Sequence, residues 1–111
     1  MTQGEGSLLP MIQAMAEPTR IEIMRLIGSR ELAAGEIARH FAVTRPAVSH
    51  HLGVLREAGL LRERRAGTKR LYALRPEALD QLRSFIDGFW EPRLRSLKRA
   101  AEAIERRKKV R

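Results

Sequence analysis

The sequence predicts a mostly α-helical fold of five or six helices carrying one small β-hairpin. Two observations carry that expectation. Apolar residues recur at helical spacing along most of the chain, and the period changes over residues 60–75, where two short strands flanking a Gly-containing tip read as a β-hairpin. The 43% hydrophobic content of the 111 residues is enough for one packed core, which argues against wholesale disorder.

The elements follow in order. Residues 1–7, MTQGEGS, are polar and Gly-containing and read as a frayed tail. Leu8, Leu9, Ile12, Met15 and Ala16 give a first helix over residues 8–16. Pro18 disfavours helical geometry at Glu17 and opens a second helix, with Ile23, Leu26 and Ile27 inward and Gly28 as its stop. A third helix spans 34–41, with Ile37, Ala38 and Phe41 on one side, and Val43 plugs the short turn after it. Thr44 caps a fourth helix over 44–58, with Pro46 in its first turn and Gly59 ending it. Val48, Leu52 and Leu55 make a narrow apolar stripe on this otherwise polar rod. Beyond the hairpin, Leu79, Leu82, Ile86 and Phe89 form one helical series. Trp90, Leu94, Leu97, Ala101 and Ile104 form another, one residue out of step. The step falls near Pro92, so a kink or two abutting helices is expected there. A single domain over 8–105, followed by a solvated basic tail over 106–111, summarises the organisation.

Charge narrows the partners. Lys and Arg total 22 against 13 Asp and Glu, a net +9, which suits a polyanion such as nucleic acid or an anionic membrane. The 5% aromatic content argues against base-stacking platforms for single strands. With no cysteine, disulfides, zinc–thiolate sites and thiol switches are excluded. No segment approaches the roughly 18 apolar residues of a membrane span, and the N-terminus lacks the pattern of a secretory signal, so a cytoplasmic location is expected. Catalysis finds no support, because there is no Gly-rich phosphate loop and no cysteine nucleophile, and Ser49, His50 and His51 sit on an exposed helix.

Helix 34–41, the short turn and helix 44–58 together match a helix-turn-helix, and the cationic hairpin after them makes it a winged one. Small Ala38 permits close crossing of the two helices, and the Val48–Leu52–Leu55 stripe tethers the second. Its opposite side is then free to enter a DNA major groove. Setting Val48 inward and advancing about 100° per residue puts Ser49 at about 100°, Pro46 at about 160° and His50 at about 200°. Gly53, at about 140°, leaves room for the duplex to approach. Arg45, Pro46, Ser49 and His50 are therefore the candidate base readers, with Arg–guanine the commonest specific contact. His51, at about 300°, lies beside the core stripe, where either an internal hydrogen bond or a phosphate would engage it.

The chain resembles the ArsR/SmtB family of bacterial transcriptional repressors through EPTRIEIMRLI at 17–27, GEIARHFAVTRPAVSHHLGVLREAGLL at 35–61 and GTKRLYAL at 67–74. The resemblance covers nearly the whole chain. It implies a winged helix fold, a homodimer and repression by occupying an operator. On that basis the wing would lay Arg64, Arg65, Thr68, Lys69 and Arg70 along phosphates or into a minor groove, with Thr44 and His51 touching the backbone beside them. The first and last helices are the family's dimerisation elements, which nominates Leu8, Leu9, Ile12, Leu82, Phe85, Phe89, Trp90, Leu94 and Leu97. A two-fold dimer would place its recognition helices one DNA turn apart and demand an inverted-repeat operator.

The departures matter too. Many members sense metal through a cysteine pair before the turn, where this chain reads ELAAGEI at 31–37. Another family site uses carboxylates and histidines on the last helix, which here carries Asp80 and Asp87 but no histidine. The chain therefore resembles the family's metal-independent branches, with no cofactor and no metal expected. Three other readings stay open: a winged helix that mediates protein contacts, a repressor released by a small apolar ligand near Phe85, Phe89 and Trp90, and a membrane-surface helix between Trp90 and Ile104. The cationic wing together with Arg45 favours DNA over the first, and the 3–4 spacing of the last helix favours a partner helix over the third.

Overall fold

In the computed structural model the backbone of residues 3–110 is described, with the side-chain surroundings of residues 8–89 and 95–108. Among the described residues, five helices and three strands run in the order α1 Gln3–Met15, α2 Pro18–Ile27, β1 Leu32–Ala33, α3 Ala34–Ala38, α4 Arg45–Glu57, β2 Leu61–Ala66, β3 Lys69–Leu74 and α5 Pro76–Val110. The chain forms two compact units, one up to Gln81 and one from Leu82 onward.

Local chemistry sets the helix ends of the first unit. The Arg20 amide donates to Glu17 Oε2 at 2.9 Å, and Pro18 fills the first turn of α2, where its missing N–H costs nothing. The Ala47 amide donates to Thr44 Oγ1 at 3.2 Å and caps α4. Ile23, Ile27, Ile37, Val48, Leu52, Leu55 and Leu60 are wholly shielded from solvent and make the core, with Met11 closing it from α1. Each such side chain contributes about 1.5–3 kcal/mol by leaving water.

The sheet has the order β1–β3–β2, antiparallel throughout. In the hairpin Glu63 stands opposite Tyr72 and Arg65 opposite Arg70. Its tip turns at Gly67, whose φ of +65° is the left-handed conformation that suits glycine.

Several boundaries differ from those the sequence predicts. Helix α1 begins at Gln3, not at Leu8, and continues through Pro10. Strand β1 escapes sequence reading because two residues carry no period, and its pairing with Leu71 and Tyr72 is non-local. Helix α3 stops at Ala38, after which bonds from His40 to Ile37 and from Phe41 to Ala38 continue as tightened turns. Val43 does not plug the turn, since 41% of it is exposed. Helix α5 is not split near Pro92: the backbone is helical without interruption for 35 residues, because one missing donor is a local loss in a long ladder.

Among the described residues of the second unit, Leu82 is buried, whereas Phe85, Ile86, Phe89, Leu97 and Ile104 are exposed apolar side chains. Phe85 and Phe89 meet edge to face with centroids 5.1 Å apart. No helix in the described residues is long and apolar enough to cross a membrane.

Candidate nucleic-acid interface

Helix α4 is held along one side only. Val48, Leu52 and Leu55 are buried, while Arg45, Pro46, Ser49 and His50 are exposed on the rest of its surface. A Cβ placed at Gly53 would meet nothing within 4 Å, so the middle of that outer surface is open. The four candidate base readers thus share one accessible face, at the end of the helix that presents free backbone amides.

Arg45 does not stand free in solvent. Its guanidinium lies over α3, where a Cβ at Gly35 would be 3.6 Å away, so a residue without a side chain leaves the space it occupies. From there a polar groove of about 450 Å³ runs between α3, α4 and the wing. Arg39, Arg45, Arg56, Lys69 and Arg70 line it as cations, and Glu36 and Glu63 as anions.

The wing residues do not act as one set. Successive strand residues point to opposite faces, so Glu63 and Arg65 share one face of β2 and Arg62 and Arg64 the other. Arg64 spends its fork on Glu31, donating from Nε at 2.8 Å and from Nη2 at 2.7 Å. The bond from Arg64 holds the Glu31 carboxyl below its ordinary value and raises the guanidinium in turn. Arg65, Thr68 and Lys69 are exposed on or beside the tip. Arg70 lies 3.9 Å from Glu63, which also accepts from Tyr72 Oη at 3.0 Å and from Arg56 Nη1 at 3.4 Å. Burial, and then the bond to Glu63, raises the Tyr72 phenol above its usual range.

His51 turns inward. Its Nδ1 is 3.3 Å from Arg20 Nη1 and 3.9 Å from Glu17 Oε2, and Arg20 Nε donates to the Ala14 carbonyl. Of the two fates the helical phase leaves open, the internal bond is the one adopted. Thr44 keeps its hydroxyl as the α4 cap. Sequence reading missed Arg39, Arg56 and Glu63. Arg56 had a signal, since it follows Ser49 by two helical turns and so shares its side of α4; Glu63 had one in the strand alternation; Arg39 had none.

Of the residues nominated for a partner subunit, Leu8 is half-buried and Leu9, Ile12, Phe85, Phe89 and Leu97 are exposed. Leu82 is buried within the chain and is withdrawn from that set. The side chains of Trp90 and Leu94 lie outside the described residues.

Residues 17–63 match the bacterial regulatory proteins of the arsR family. The chain is 49% identical over 78 residues to the HTH-type transcriptional regulator Rv2034 of Mycobacterium tuberculosis, covering 70% of this chain and 73% of that protein. The chain belongs to the ArsR family. The transcriptional repressor SdpR of Bacillus subtilis is 35% identical, with 71% of this chain and 88% of that protein covered. Among solved structures, a possible transcriptional regulator for arsenical resistance superposes with a TM-score of 0.65 at 45% identity, over 70% of this chain and 81% of its own. A homodimeric winged helix-turn-helix DNA-binding domain from Mycobacterium bovis shares the fold, with a TM-score of 0.64 at 24% identity over 78% and 80% of the two chains. This ArsR-family protein is therefore a DNA-binding transcriptional regulator built on a winged helix, and not an enzyme.

Proposed function

We propose that this ArsR-family regulator is a cytoplasmic repressor that binds an inverted-repeat operator as a homodimer and does not sense metal through cysteine. The observation that carries the reading is the exposed row Arg45, Pro46, Ser49 and His50 on a helix fixed by its opposite stripe and flanked by a cationic wing. Those four side chains read base edges, while Arg65, Thr68 and Lys69 meet phosphates. Arg64 and His51, held by Glu31 and by Glu17 with Arg20, serve the scaffold rather than the duplex.

The exposed apolar row of α5 supports a second copy as the partner, and within the first unit Leu9 and Ile12 of α1 are exposed apolar side chains too. Repression accords with the name of the Bacillus subtilis relative, and pairing with that of the Mycobacterium bovis domain. The chain has no cysteine, and its described residues include no cluster of three His, Asp or Glu able to hold an ion. Phe85 and Phe89, 40% and 68% exposed, form a surface row, which suits a partner helix better than a small apolar ligand.

Selection of bound duplexes from a random pool tests the reading. A palindromic motif with half-sites about 34 Å apart is the expected result. Absence of salt-sensitive binding to any duplex at low ionic strength would leave the winged helix as a protein-contact module.

A further inference from the structure

We propose that Glu63 is a specificity-determining residue: it acts as an internal counter-ion that withholds Arg56 and Arg70 from DNA phosphates. This rests on the DNA-binding reading above and adds a residue that suppresses binding to the wrong sequences.

The carboxylate is built into its place. Glu63 sits mid-strand, paired in register with buried Tyr72, and its side chain is only 18% exposed. Tyr72 Oη donates to Oε2 at 3.0 Å and fixes the carboxylate. Arg56 Nη1 reaches the same oxygen at 3.4 Å from the recognition helix, and Arg70 Nε lies 3.9 Å from Oε1 on the wing. One anion thus stands between a cation of each DNA-facing element, inside the groove those elements form. Both arginine side chains are about half exposed, so a duplex could reach them. Arg56 Nη2 also lies 3.7 Å from Glu57 Oε1, an exposed neighbour on its own helix, whereas Glu63 is the carboxylate that the two arginines share.

Non-specific affinity comes from phosphates and grows with every cation that joins them, whereas specificity is the ratio of operator to random binding. A phosphate recruits Arg56 or Arg70 only by displacing a fixed carboxylate. On random DNA, where the docking is loose, both stay with Glu63. Arg45, on the same groove but with its guanidinium beside Gly35, is left for base contact.

The test is the slope of log affinity against log salt on a random duplex and on the selected operator. Glu63→Gln keeps the shape and the tyrosine bond but removes the charge. The random-duplex slope should steepen by about one unit per released guanidinium, two at most, with binding about tenfold tighter at 0.1 M salt for each unit. The operator-to-random ratio should fall. Arg56→Ala and Arg70→Ala, each alone, should keep the wild-type slope on the random duplex, and Glu63→Gln in the double-alanine background should change nothing there. Glu22→Gln, an equal charge change on α2, should leave the slope alone. An unchanged slope in Glu63→Gln, with or without a lower melting temperature, overturns the proposal and leaves Glu63 a structural role. Flattening of the random-duplex slope by either single alanine variant overturns it as well. A wild-type protein without salt-sensitive binding overturns the DNA reading itself, which is a separate result.

Discussion

Arg45 and Glu31 illustrate how differently two surface charges of this chain are placed, the first exposed and the second half-buried. Arg45 rests against α3 with no carboxylate bonded to it in the described contacts, on the first turn of a helix whose other side is buried. Arg45→Ala should relax base preference at one position of each half-site, at a cost of ~1–3 kcal/mol on the operator. Competition with single-base operator variants measures this, and uniform weakening across all sequences would make Arg45 a phosphate contact. Glu31 is instead held ionised by the fork of Arg64, below its ordinary 4.5. Its contribution to stability is present above the unfolded-state value and is lost as pH falls through the lower folded value. Melting temperatures between pH 7 and pH 3 should therefore fall on the acid side, and Glu31→Gln should remove part of that fall. An acid limb identical in the variant would show that the pair contributes nothing.

At the scale of the element, the wing depends on a two-residue turn and on strand alternation. Gly67 has a φ of +65° and open space around its Cβ position, so a side chain there meets no clash, only the backbone penalty. Gly67→Ala should cost about 1–2 kcal/mol, read by urea unfolding. Equal stability would mean that the turn rearranges. Alternation also divides the neighbouring arginines. Arg65→Ala should flatten the salt slope by about one unit, whereas Arg64→Ala should leave it unchanged, because Arg64 is already spent on Glu31. Equal flattening by both would show that Arg64 leaves Glu31 for DNA. Helices α2 and α4 were legible because a cap, a proline in the first turn and a buried stripe agree. Strand β1 was not, since only its partner strand makes it a strand.

At the scale of the molecule, a 111-residue chain exposes an apolar row along its longest helix. A second copy is the occupant we infer. Phe89→Glu puts a charge into that row and should convert a dimer to a monomer in sedimentation equilibrium, with operator affinity lost alongside. A variant that stays dimeric would move the interface elsewhere, and a monomeric wild type would remove the basis for an inverted repeat.

The sequence by itself determined the class of fold, the recognition helix and its outward face, the cationic wing and the absence of thiols. Those properties are local: caps, prolines, glycines and a 3.6-residue period act over a few neighbours and need no distant partner. It also carried the family motifs, which lie in the same contiguous stretch. Only the tertiary structure decided which charges remain available. Arg64 meets Glu31 across 33 residues, His51 meets Arg20 across 31, and Arg56 and Arg70 converge on Glu63 through the docking of a helix against a hairpin. Such pairings are fixed by how elements pack, and a charge pattern along the chain does not encode which partner, inside or outside the protein, each cation meets.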